Sequence, residues 1–156
     1  MLRTQSLTLM LVVACALAGT AGCGGDSAIA PDAVPLQAFD GTRNIAASSV
    51  AVVLFQIDQS GTVRTAVDWN NFLNDIDTAI LQGTCTADQI VQGTTAGCPN
   101  HDALVQDNAT ALAFDDNQVR KPSALETPVT AGVHTLVVWN FSMFQNEVFA
   151  YRIEAF

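Results

Sequence analysis

At 156 residues, with 49% hydrophobic and only 13% charged side chains, the chain is long enough for one domain with its own core plus a short targeting segment. Asp and Glu number 15 against 6 Lys and Arg, a formal charge of −9, and the only basic cluster is the pair Arg120-Lys121, which excludes recognition of a nucleic-acid backbone. An acidic, lightly charged surface suits an exported protein and is compatible with divalent cations.

Residues 1–22 carry Arg3, an apolar run from Leu7 to Ala18 and the small residues Gly19-Thr20-Ala21-Gly22 before Cys23. The run is too short to span a bilayer and has the layout of a signal peptide. Thr20-Ala21-Gly22-Cys23 resembles a bacterial lipobox, which makes Cys23 the expected lipidated residue and anchors the chain to the cell envelope. Two other readings stay open. Val12-Val13-Ala14-Cys15 fits the same pattern with a shorter signal, and cleavage after Ala16-Leu17-Ala18 would release a soluble protein. Residues 23–35 are small, polar and proline-punctuated, with no period of either kind, and read as a tether.

From Leu36 to Phe156 the pattern is that of strands. Ala51 to Ile57 is a continuous β-branched and aromatic run ending in the turn Asp58-Gln59-Ser60-Gly61. Gly61 to Trp69 places Val63, Val67 and Trp69 on one parity, and Asp75 to Leu81 places Ile76 and Ile80 on one parity. Asn70 to Asn74 lies between them as an asparagine-rich turn, so the two runs read as one compact β-unit. Trp69, Phe72, Leu73, Ile76 and Ile80 also recur at helical spacing, which leaves a helix over Asp68 to Ile80 as the competing reading. Ala109 to Phe114 and Val119 to Glu126 are weaker strands. Val133 to Asn140 and Val148 to Ala155 are strong ones.

Cys85 and Cys98 enclose a polar loop and, in an exported chain, are expected to pair; closing a loop of this size contributes roughly 3 kcal/mol. A zinc site through them is disfavoured, with no CxxC and no nearby histidine pair. The loop from Gln82 to His101 is too long for a hairpin, so the bridge should pin it to the surface.

The wording sGtv…avdW….nDiDtaiL over Ser60 to Leu81, with TAGVHTLVVWN and VFAYRIEAF near the end, resembles the bacterial pre-peptidase C-terminal domain family. His134 stands where that family has an aromatic and Thr78 replaces an apolar residue, so the chain reads as a divergent member. The resemblance implies an all-β, jelly-roll-like antiparallel sandwich; seven or eight strands are expected, with Trp69 in the core.

No GxSxG, HExxH or phosphate-binding glycine loop is present, and neither His101 nor His134 neighbours a nucleophile, so no enzyme is expected. Asp75 and Asp77 share a strand face; with Asp68 from the preceding strand they form the candidate calcium site, and Asp115-Asp116-Asn117 is a second candidate. Calcium binding by some members of the resembled family points the same way. Simple pairing through the odd-length turn would, however, set Asp68 opposite Ile76. Trp139 lies on the second apolar face of its strand, which is either covered or exposes an anchor for a sugar or a partner. The expected function is a non-catalytic envelope lipoprotein, a binding or adhesion module for a polysaccharide or protein outside the cytoplasm. The alternative is an accessory subunit docked on another envelope protein, without a free ligand.

Overall fold

Among the described residues, eight strands divide the apolar runs between two sheets that face each other across one core. The computed structural model describes residues 34–93, 95–106, 111–116 and 121–156. The signal segment, Cys15, Cys23 and nearly all of the tether lie outside the described residues, as do Asn117 and Arg120. In chain order the strands are β1 (Gln37–Ile45), β2 (Ser49–Ile57), β3 (Gly61–Trp69), β4 (Ile76–Gln82), β5 (Ala113–Asp115), β6 (Ser123–Val129), β7 (Gly132–Asn140) and β8 (Glu147–Ala155). Two short helices, α1 (Ala87–Gln92) and α2 (His101–Gln106), lie between β4 and β5.

One sheet has the order β1-β8-β3-β6 and the other β2-β7-β4-β5. The antiparallel partners β1/β8, β2/β7, β3/β6 and β4/β5 are those of one long ribbon rolled upon itself, with β3/β8 and β4/β7 closing the sheets laterally. This is the jelly-roll sandwich.

The core is filled by alternate residues from both sheets. Val63, Val67, Trp69 and Ile153 enter from one, and Val53, Phe55, Ile76, Ile80, Leu136 and Val138 from the other. His134 is fully buried, stacks on Phe55 with ring centroids 5.5 Å apart and shares a hydrogen bond with the Gly132 carbonyl at 3.1 Å. Its imidazole thus fills a core position.

The structure corrects the single β-unit expected over Gly61 to Leu81. β3 and β4 belong to different sheets, and neither a hairpin nor a helix joins them. Val63, Val67 and Trp69 on β3 and Ile76 and Ile80 on β4 face each other across the core rather than lying side by side. The asparagine-rich segment is the arch between sheets. The buried Glu147 carboxylate accepts from Asn70 N at 3.2 Å, from Asn71 N at 3.3 Å and from the Asn74 side chain, satisfying backbone groups that no ladder reaches.

Candidate functional site

A disulfide-linked cap covers β4 and β7 on the side away from the main core. Local sequence builds it. Thr86 and Gln89 form a reciprocal capping box at the start of α1, and Gly93 ends that helix in the left-handed conformation (φ 63°). The Asn100 side chain accepts from Ala103 N at 2.9 Å at the start of α2. Cys85 and Cys98 are bonded, with Cα atoms 5.7 Å apart. The Thr135 hydroxyl, on β7, donates to Gly83 O at 2.8 Å and accepts from Cys85 N at 3.0 Å, which fastens the root of the cap to the sheet. Ile90 and Leu104, the buried residues of the two helices, then pack with Ala79, Leu81, Val137 and Trp139 in a second apolar cluster.

Where cap and sheet meet at the β4 entrance, ionisable groups converge. Asp77 is 1% exposed, and its Oδ2 lies 2.6 Å from His101 Nε2. One donor atom each from Asp77, His101 and Asp116 lies within 4.8 Å of the others. Aromatic rings hold the His101 imidazole in place, with centroids at 4.5 Å for Phe141, 5.5 Å for Trp139 and 5.6 Å for Phe114. Beside the cluster a polar relay runs from Thr78 to Ser123 at 2.6 Å and on to Asp115 at 2.6 Å.

Burial pushes the Asp77 carboxyl up to about 8, helped by the charges of Asp75, Asp116 and Asp115 and by a hydrogen bond with Asp116. Burial and Asp116 also raise Asp75, which His101 partly offsets. His101 is lowered by burial against the upward pull of Asp116, Asp102 and Asp75. Asp75 Oδ1 and Asp77 Oδ1 are buried without a hydrogen-bond partner.

A cleft of about 320 Å³ opens beside this cluster, between the β1–β2 turn, the end of β7 and the two cap helices. Ser48, Ser49, Asn100, Asp102 and Asn140 line it with hydroxyl, amide and carboxylate groups; Val50, Trp139 and Phe141 supply apolar surface, and His101 belongs to both cleft and cluster. Neither serine engages His101. Ser48 Oγ donates to Ser142 O at 3.4 Å and Ser49 Oγ to Ala46 O at 2.7 Å.

The residues singled out from sequence are distributed unevenly over this arrangement. Asp75, just before β4, lies near enough for its charge to raise the Asp77 carboxyl, while Ile76 and Ile80 enter the core. Asp68 does not join them. It sits on the exposed outer side of the other sheet, where Lys121 Nζ meets its Oδ1 at 3.1 Å, so the three-acid calcium set is not assembled. The reason is the crossing of β3 and β4 to opposite sheets, which sends their outward faces to opposite sides. Trp139 is 6% exposed, so an exposed anchor is corrected to a cap-covered residue. Asp116, from the second candidate group, joins Asp77, and His101, read from sequence as structural, bonds it across 24 positions of chain. The signal that would have found the cap helices is Thr86-x-x-Gln89.

No family model and no curated protein matches the chain. Among solved structures, the crystal structure of Yersinia pseudotuberculosis-derived mitogen (YPM) is similar, with a TM-score of 0.50 at 11% sequence identity, over 79% of this chain and 88% of that one. At this identity the likeness speaks for the fold alone, and the fold it supports is the all-β sandwich.

Proposed function

We propose that the chain is a non-catalytic binding module of the cell envelope, a divergent relative of the pre-peptidase C-terminal domains, lipid-anchored through Cys23, and that its cleft takes a saccharide unit of an extracytoplasmic polysaccharide. The observation that carries this reading is the cleft's lining. Phe141, 39% exposed, offers a ring face beside the hydroxyl, amide and carboxylate groups of Ser48, Asn100 and Asp102. A sugar ring needs that pairing of an apolar platform with hydrogen-bond donors and acceptors. The cystine supports an oxidising compartment. Asp77 and His101 bond each other while both cleft hydroxyls are spent on backbone carbonyls, which favours binding over nucleophilic catalysis.

A second reading rests on a different surface. Phe72, Leu73, Met143 and Phe144 are strongly exposed at the tips of the β3–β4 arch and the β7–β8 loop. These two loops are knit together by the Asn71–Gln145 side-chain contact and by Phe141 N donating to Asp75 O at 3.0 Å. An apolar tip on a rigid base suits an accessory subunit docked on another envelope protein.

Co-sedimentation of residues 24–156 with peptidoglycan, cellulose and chitin separates the readings. The module reading expects retention by one polymer, weakened at least about tenfold by Phe141→Ala and unchanged by Phe72→Ser with Phe144→Ser. Absence from all three pellets would remove the saccharide reading and leave the accessory one, for which the tip variants are the next test.

A further inference from the structure

We infer that Asp77, His101 and Asp116 form a binding site for a divalent transition-metal cation, of the zinc, cobalt or manganese kind, at the seam between the β4–β7 sheet face and the disulfide-linked cap. Three donors from separate parts of the chain converge: Asp77 from β4, His101 from the first turn of α2 and Asp116 just after β5. Their donor atoms all lie within 4.8 Å of one another, a span that small side-chain shifts close onto a single ion with bonds of about 2.0–2.2 Å. The chain spends burial on this arrangement. Asp77 is 1% exposed, and its Oδ1 has no hydrogen-bond partner although such an oxygen is costly to leave unsatisfied. Asp75, just before β4, brings a second buried and unpartnered oxygen, and its charge acts on Asp77.

Among the described residues, no Lys or Arg is paired with these acids. The four ion pairs are Arg64–Glu126, Lys121–Asp68, Arg152–Glu154 and His101–Asp77 itself. A dication bound here replaces the Asp77 proton and balances two carboxylates beside one imidazole.

The donor set selects the class of cation. Calcium takes six to eight oxygens and has little use for imidazole, whereas mixed carboxylate and imidazole ligation suits zinc and its neighbours. His101 Nε2 and Asp77 Oδ2, now 2.6 Å apart, are closer than two ligands of one ion, so binding moves the His101 ring outward. The ring sits on a six-residue helix among three aromatic rings. With three protein donors, positions remain open for solvent or for an oxygen of a molecule in the adjoining cleft, which His101 also lines. This site stands whether or not the cleft takes a sugar.

The test is titration of the disulfide-bonded, EDTA-dialysed protein with Co²⁺ and Zn²⁺, read by the visible d–d bands of bound Co²⁺ and by calorimetry. One equivalent is expected to bind, with displacement of Co²⁺ by Zn²⁺ and no comparable binding of Ca²⁺. His101→Gln should abolish the Co²⁺ spectrum and weaken Zn²⁺ at least about 100-fold, the upper end of what even outer-shell changes cost. Asp116→Asn, at an exposed position and so safe for folding, should weaken binding in the same direction, while Asp88→Asn on the outside of α1 should leave it unchanged. Absence of Co²⁺ and Zn²⁺ binding in the wild-type protein, or equal binding in His101→Gln and Asp116→Asn, would overturn the inference. Polymer co-sedimentation by a protein that binds no metal would separate failure of this site from failure of the binding-module reading.

Discussion

The outer faces of the two sheets are used in opposite ways. On β3 the residues between the core positions, Arg64, Ala66 and Asp68, face solvent, and Arg64 meets Glu126 of the neighbouring strand at 2.8 Å. On β4 and β7 the corresponding positions, Asp77, Ala79 and Leu81 with Thr135, Val137 and Trp139, are buried beneath the cap. The first face is an ordinary solvated sheet surface, where such ion pairs contribute little. The second has a small core of its own, joined to the sandwich by a cystine and a tryptophan. Only the second can hold a desolvated carboxylate, because only there does the chain exclude water from an outward-facing Asp.

The sharpest way to break this comparison is Trp139→Ala. If the cap face is a true core, the substitution costs ~3–5 kcal/mol in denaturant unfolding, as much as Trp69→Ala in the main core. A loss under ~0.5 kcal/mol would mean that the cap face behaves as surface. Next in size is the disulfide. Cys85→Ala with Cys98→Ala should remove about 3 kcal/mol. In a Trp69→Phe background, the remaining Trp139 emission should shift to the red as the cap loosens. A cap that stays seated, with unchanged emission and melting temperature, would show that the apolar cluster alone retains it.

The smallest effect is on pH. Asp77 holds its proton in the folded state up to about 8, while the unfolded chain releases it near 3.8. A raised carboxyl stabilises the fold fully below the unfolded value, and this contribution is lost as pH rises through the folded value. The lowered imidazole of His101 works in the opposite sense, with stability rising as pH climbs toward 6.5, so the window between pH 7 and 9 isolates Asp77. In EDTA, the melting temperature should fall by a few degrees across that window. Asp77→Asn should flatten the profile, and an unchanged slope in that variant would assign the titration elsewhere.

Much of this architecture was legible in the residues. The single apolar parity in Gly61 to Trp69 announced a strand, and the double-faced apolar run in Val133 to Asn140 left open a covered strand or an exposed apolar stripe, of which the covered strand is found. The pairing of Cys85 with Cys98 followed from their shared polar loop and the expected export. Asp75 and Asp77 lie close enough for their charges to interact, as their spacing suggested. Their partner was misjudged, because alternation states which way a side chain points but not which strand lies alongside. Asp68 was taken as the neighbour on chain proximity, whereas the arch carries β4 to the other sheet and brings Asp116 and His101 instead.

By itself the amino-acid sequence determined the strands, their apolar faces, the bridge and the acidic balance, since each depends on side-chain chemistry at short range. Tertiary structure alone decided that Trp139 is covered, that Asp77 is desolvated and that His101 meets it. Those outcomes depend on how a rolled ribbon stacks elements far apart in the chain, and burial, which turns an aspartate from a solvated surface group into a candidate ligand, belongs to the packed whole.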